Sequence, residues 1–404
     1  MRRMRGRAGV IRTILLSLGV LSLLALPYGC DREGGSGGGG KSSSSTGDIL
    51  IGHYASMTGD TATFGVSADE GIRLAMNEIN AAGGVMGRKV RVITTDDRSL
   101  SDEAKTAVER LINQDKVVAL LGEIASSRSI AGAPVAQDAQ IPMLSPGSTN
   151  PKVTEVGDYI FRACFIDPFQ GEALARFAMD ELKLKKFAFL YPINSDYGVG
   201  LRDYISQTLK KKGGQVVAEQ SYTEKSDVDF RAQLTKLKAA NPEAIFVTGY
   251  YTEAGLIAQQ ARELGLNIPL IGGDGWDSDQ TVQIGGKAVD GCYFSNHYSA
   301  DEDRPEVKKF VDSYKATFKN PDGSPKLPDA MAVLGYDAMK LMADAIKRAG
   351  NTEGPKIRDA LAATKDFPGA SGVITIDDKR NAKKAIVILK IDGGKFKYVA
   401  RINP

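Results

Sequence analysis

Two kinds of segment carry side chains able to do chemistry. GEIASS (122–127) and LSPGSTN (144–150) combine serine and threonine hydroxyls with glycine and proline. YPINSDYG (191–198), TGYYTE (248–253) and GGDGWDS (272–278) supply tyrosines and an aspartate. Hydroxyls beside helix N-termini suit a carboxylate, because both offer positive partial charge without a formal cation. An aspartate suits an ammonium. Together the segments fit a small zwitterion. A serine hydrolase would need a base beside Ser126 or Ser145, and the chain has two histidines, His53 and His297. Catalysis is therefore not expected. No cysteine or histidine cluster has ligand spacing, so neither a metal nor a cofactor is expected.

Each of these residues has a plainer use. Ser126 fits a helix N-cap, and Thr149 before Asn150-Pro151 fits turn chemistry. Asp274 between glycines fits a turn, Phe64 a helix core, and Trp276 packing. Of the adjacent Tyr250 and Tyr251, one is expected to face a cleft and the other to pack. Glu253 is the rival acid to Asp274 and falls in a helix.

These segments must be positioned by strands and helices that alternate along the chain. Strand-like runs lie at 48–56, 90–95, 117–122 and 141–145, separated by helical periodicity over 64–82, 101–115 and from Ser126. The alternation restarts after Pro168. Helical runs at 169–182, 197–211, 230–239 and 252–264 are interleaved with strand-like runs at 186–192, 215–220, 244–249 and 268–273. Helices follow near 304–319, 328–349 and 355–364, then strands near 385–391 and 396–401. Two βαβ series imply two doubly wound α/β lobes, with late elements added to lobes already begun. Each chemistry-bearing segment sits after a strand, and ligands bind outside the carboxyl ends of strands in open α/β sheets.

The first 47 residues have another character. Five arginines precede Ile14–Leu26, an uncharged apolar run of 13 residues. Spanning a bilayer takes ~20 residues, so this run has the length of a secretory signal. Of the 17 residues from Asp31 to Gly47, 12 are Gly or Ser, a composition that cannot form a core. Within it GSGGGGKS (35–42) matches the phosphate-loop pattern, but no strand precedes it and no helix follows, as that loop requires. Removing residues 1–29 takes the net charge from +3 to −2, which argues against a nucleic-acid partner. Cys164 and Cys292 then remain as a possible pair or as two buried thiols.

Gly29-Cys30 resembles the end of a bacterial lipoprotein signal, although Pro27 stands where that motif usually has leucine. The resemblance implies a signal peptide over 1–29, a lipid on Cys30 and a tether over 30–47. Asp31 resembles the residue that retains such proteins on the inner membrane. Ordinary cleavage to a soluble secreted protein is the alternative.

SMTGDTATFGVSADEGIRLAMNEINAAGGVMGRKV, GEIASS, LSPGSTNP, FRACFIDPFQG, LYPINSDYGVGLR, FVTGYYTEAG, IGGDGWDS and LGYDAMKLMADAIKRAG resemble the leucine/isoleucine/valine-type periplasmic binding proteins of ABC importers. The resemblance covers nearly all of 48–404. It implies a type I fold of two parallel-sheet lobes joined by a three-strand hinge, with crossovers near Phe161–Asp167, Tyr293–Tyr298 and Ser371. The lobes are then 48–165 plus 298–370 and 166–297 plus 371–404. It further implies that Ser126, Ser148 and Thr149 grip a ligand carboxylate. Tyr197, Tyr250 and Phe64 line the pocket, and Asp274 takes the ammonium where relatives have a glutamate. A first-lobe disulfide of the family is absent, since Ala125 occupies one of its positions.

The implied protein is a monomeric, lipid-anchored binding protein outside the cytoplasm that delivers a branched-chain amino acid to ABC permease subunits. A sensor subunit for amino acids or amides, working through a partner protein, is the alternative. Replacing Cys30 by alanine should move the protein from the membrane to the soluble fraction on cell fractionation. Wild-type protein that lacks acyl mass and washes off membranes would contradict the anchor.

Overall fold

The computed structural model describes residues 47–404. The signal peptide, Cys30, nearly all of the tether and the phosphate-loop match lie outside the described residues.

The first lobe is built on five parallel strands: β1 (Ile49–Ala55), β2 (Val90–Asp96), β3 (Ala119–Leu121), β4 (Met143–Ser145) and β5 (Ile160–Arg162). Their order is β2-β1-β3-β4-β5. In the second lobe β6 (Lys186–Pro192), β7 (Gln215–Tyr222), β8 (Ala244–Val247), β9 (Leu270–Gly272) and β10 (Tyr293–Asn296) are also parallel. The continuous apolar sequences of β3 and β8 match their complete burial.

A short sheet follows, made of β11 (Phe367–Gly369), β12 (Gly372–Ile376) and β13 (Ala382–Lys383). The chain ends with β14 (Ile386–Asp392) and β15 (Lys395–Ile402), which extend the second sheet to seven strands in the order β15-β14-β10-β9-β8-β6-β7. These last two strands are antiparallel to their neighbours. Gly393 and Gly394 join them, both at positive φ (59° and 71°), the conformation that a tight two-residue hairpin demands.

The chain crosses between lobes three times. The first crossing is Ala163–Ile166, between β5 and the helix Asp167–Arg176. The second is at His297, where β10 ends and Tyr298 joins an apolar cluster with Leu74 and Phe310. The third differs from expectation. Ile374, Ile376 and Ala382 pack with Ile49, Ile51 and Leu121 of the first lobe, whereas Ile386 and Ile388 pack with Phe187 and Phe246 of the second. The boundary expected at 370/371 is thus corrected to Lys384–Ala385. The cause is a buried knot of hydrogen bonds. The backbone amides of Ala370 and Ser371 donate to Asp337 at 2.7 and 2.8 Å, fastening Ser371 to the first-lobe helix Ala330–Ala349. Lys384 then reaches back to the Ser371 hydroxyl.

The helix Ala62–Ala81 lies against Ala330–Ala349 with almost no side-chain spacer. A Cβ at Gly71 would sit 1.9 Å from the Ala332 carbonyl oxygen, and one at Gly335 would sit 2.4 Å from that of Ala68. This close approach fixes the helix that carries Phe64. The helix expected over 169–182 also changes character, opening into a wider turn over Phe177–Glu181.

Candidate functional site

The two lobes meet over the carboxyl ends of their strands. From the first lobe, β3 leads to Ser126, β4 to Thr149, and the helix after β1 carries Phe64. From the second, β6 leads to Tyr197, β8 to Tyr250 and β9 to Asp274. These six residues line one small cavity with Ile124, Gly147, Gly275 and Met331. Its volume is about 10 Å³, room for about one water molecule. A larger cavity of about 400 Å³ lies between the lobes beside Thr63, Ser67, Asp277 and Asp329, and none of the sequence-predicted residues lines it.

Ser126 is the first residue of its helix, and the N-cap position belongs to Ala125. The Ser126 hydroxyl is not a cap: it accepts from the Asn150 amide at 3.2 Å, leaving its own proton free to donate. The loop before it is held by a buried charge network. The Glu123 carboxylate accepts from the Ser56 amide at 3.2 Å and the Ser56 hydroxyl at 2.8 Å, and meets Arg128 Nε at 3.2 Å. Asp97 Oδ1 lies 2.8 Å from the same Ser56 hydroxyl oxygen, so the two acids share that group. Burial and the adjacent Glu123 raise the Asp97 pKa to about 8.

Ser148 is placed differently from its neighbour. Its hydroxyl donates to the Glu123 and Ile124 carbonyls at 2.9 and 3.0 Å and lies 2.7 Å from Ser129 Oγ. It therefore ties two loops together and does not line the cavity. Arg162 supports the same loop by donating to the Ser148 and Asn150 carbonyls at 2.5 and 2.7 Å.

Asp274 opens a single tight turn, Asp274–Trp276, and is buried. Its Oδ1 accepts from the Tyr197 hydroxyl at 2.8 Å, and its Oδ2 lies 2.9 Å from His297 Nε2. Its backbone amide donates to Gln170 at 3.1 Å, and Gln170 in turn donates to Asp167 at 3.1 Å. Burial, followed by repulsion from Asp274, raises the Asp167 pKa to about 8. Burial and the nearby acids also push the Tyr197 hydroxyl up, so it stays a donor.

Aromatic rings join the lobes. Phe64 meets Tyr250 and Tyr251 edge-on at 5.8 and 4.9 Å, and Tyr250 stacks on Tyr197 at 5.3 Å. Both adjacent tyrosines thus touch Phe64, and Tyr250 is the one lining the cavity. Trp276 packs, donating to the Val247 carbonyl at 3.1 Å within the second-lobe core. Glu253 is buried, accepts from the Lys225 amide at 3.3 Å and lies off the cavity. Direct bonds also clamp the lobes, including Ser127 to Asp196 at 3.0 Å and Ser278 to Thr63 at 3.1 Å.

Residue spacing gave no sign of His297, Gln170 or Met331. His297 and Gln170 lie next to crossovers, and that position was the only available hint. Among the described residues no group of three His, Cys, Asp or Glu side chains is arranged to hold a metal. Cys164 and Cys292 are free and buried.

The sequence pattern of the family described as "periplasmic binding protein" matches residues 48–395. The chain belongs to this family. It is 30% identical over 353 residues to Leu/Ile/Val-binding protein homolog 3 of Brucella melitensis, covering 86% of this chain and 93% of that one. The crystal structure of the leucine-binding protein LivK from Thermotoga maritima is 39% identical with a TM-score of 0.83, covering 88% of this chain and 99% of that one. That of LivJ from Streptococcus pneumoniae in complex with isoleucine is 33% identical with a TM-score of 0.83, covering 88% and 100%. The fold is that of the type I periplasmic binding proteins.

Asp167 makes the stability of this site pH-dependent. An unfolded aspartate titrates near ~3.9. Between that pH and about 8 the folded chain keeps a proton that the unfolded chain has lost, so this group's contribution is full below pH ~4 and is lost as pH rises towards 8. Asp97 acts in the same direction. Scanning calorimetry at pH 5 and pH 8 should therefore show a smaller drop in Tm for Asp167→Asn than for the wild type. Equal drops would contradict the assignment.

Proposed function

We propose that the protein is a lipid-anchored, extracytoplasmic solute-binding protein that captures a branched-chain amino acid between its lobes and delivers it to an ABC transporter permease. The observation that carries this reading is the asymmetry of the cavity. One wall carries the hydroxyl residues Ser126 and Thr149, and the facing wall carries Asp274 beside Tyr197. A buried zwitterion needs both ends satisfied, because an unpaired charge in a dry cleft costs several kcal/mol. Phe64, Ile124, Tyr250 and Met331 supply the apolar contact that an aliphatic side chain needs. The named ligands of the relatives support the same choice. Neither histidine is set up as a base for a serine: His53 pairs with Asp69 at 3.1 Å and His297 with Asp274.

An amino acid is larger than the space of about 10 Å³, so capture needs the lobes to part about the three crossings and close again. In this reading Ser148 acts through its loop rather than through its hydroxyl, which is occupied.

Calorimetric titration with the twenty common amino acids should find leucine, isoleucine or valine binding the wild type. Asp274→Asn should weaken that binding by ~2–5 kcal/mol, the range for removing one partner of a buried charge pair. Thr149→Val should cost less, about 1–3 kcal/mol for one hydrogen bond. Binding of no branched-chain amino acid by the wild type, or equal affinity in wild type and Asp274→Asn, would contradict the proposal.

A further inference from the structure

We propose that His297 is the positioning residue for Asp274, holding its carboxylate in the orientation that receives a ligand ammonium and tying that carboxylate to the hinge. The inference rests on the functional reading above. It begins from an imidazole that is placed uneconomically if packing were its only task. His297 is buried at the second crossing and stacks on Phe165 of the first crossing, with ring centres 3.9 Å apart and planes 17° apart. A phenylalanine would fill such a stack. The imidazole instead leaves Nδ1 buried with no hydrogen-bond partner, a penalty that needs a compensating interaction.

That interaction is at the other nitrogen. Nε2 lies 2.9 Å from Asp274 Oδ2. A carboxylate oxygen only accepts, so Nε2 carries the proton and the bare Nδ1 is the acceptor of a neutral ring. Burial lowers the His297 pKa and favours that neutral form over the opposing pull of Asp274. Lys384, the other charged group acting on this ring, disfavours the imidazolium further.

The consequence is geometric. Tyr197 holds Oδ1 and His297 holds Oδ2, so both oxygens are fixed in place by neutral donors. Each oxygen has two lone pairs, so one site on each remains for an incoming ammonium. An imidazolium in the same place would supply a competing positive charge. Since the ring is stacked across two of the three crossings, the orientation of Asp274 depends on the hinge segments sitting as they do here. A carboxylate on a shorter side chain than glutamate gains most from such a support, because its reach is small and its angle matters.

Two substitutions separate hydrogen bonding from ring packing. His297→Phe keeps the stack and removes the donor. His297→Gln removes the ring and keeps an amide N–H able to reach Asp274. The proposal expects the Kd for L-leucine to rise ~10–100-fold in His297→Phe, the range of one hydrogen bond to a charged group, and to stay within about threefold of wild type in His297→Gln. Unchanged affinity in His297→Phe, or equal loss in both variants, would overturn it in favour of a packing role. A ligand-free readout decides the case if wild type binds no leucine, an outcome that defeats the functional reading alone. The chain has only two histidines, so imidazole ¹⁵N spectra are simple to assign. At neutral pH His297 should be the Nε2–H tautomer, and its Nε2 resonance should move in Asp274→Asn. An Nδ1–H tautomer or an unmoved resonance would overturn the proposal.

Discussion

Burying a carboxylate between two lobes is costly unless its lone pairs are met, and the arrangement around Asp274 is organised by that requirement. Among the described residues no lysine or arginine side chain bonds to it. Its support comes from a tyrosine hydroxyl, an imidazole N–H and a backbone turn anchored through Gln170. Neutral donors fix the acid without cancelling its charge. In the proposed reading that charge is left available to a cation that arrives with the ligand, and the hydroxyl-bearing residues opposite take its anion.

The rest of the first lobe works to keep those hydroxyls still. Charges that could disturb them are consumed internally, Glu123 against Arg128 and Ser56, and Asp97 against Ser56. The hydroxyls of Ser145, Ser129 and Ser148 gather around the Glu123 carbonyl oxygen at 2.6, 3.1 and 2.9 Å, pinning the β3 and β4 loops to each other. The helix carrying Phe64 is pressed against Ala330–Ala349 through Gly71 and Gly335. Polar groups also sit at two of the crossings, Lys384 with Ser371 and His297 with Asp274.

Much of this was legible in the chain. Long alternating runs such as KFAFLYP gave β6 to the residue, because a buried parallel strand has an unmistakable apolar signature. The rule that sites sit at strand ends gathered the five segments, and the family resemblance singled out Ser126, Thr149, Tyr197, Tyr250 and Asp274 within them and added Phe64. What escaped depends on long-range contacts that leave no local pattern. Ser148, like Thr149, is a hydroxyl residue in the same loop, and only the positions of Ser129 and of the Glu123 and Ile124 carbonyls turn its hydroxyl away. His297 stands alone in its segment, and its partner lies 23 residues away. The resemblance implied a third crossing near Ser371, and the strands β11 to β13, of two to five residues, are too short for periodicity to have corrected it. Their return to the first lobe follows from Ile374 and Ile376 packing against β1.

The central claim is that a formal charge on the ligand is recognised at Asp274 while its carboxylate is held by hydroxyls. Calorimetry on the unmodified protein can test this from the ligand side, by comparing L-leucine with 4-methylpentanoate, which has the same carbon skeleton and carboxylate but no amine. The account predicts that removing the amine weakens binding by at least ~2 kcal/mol, about thirtyfold. Equal affinity for the two compounds would contradict it, because Asp274 would then be present in the cavity without contributing to recognition.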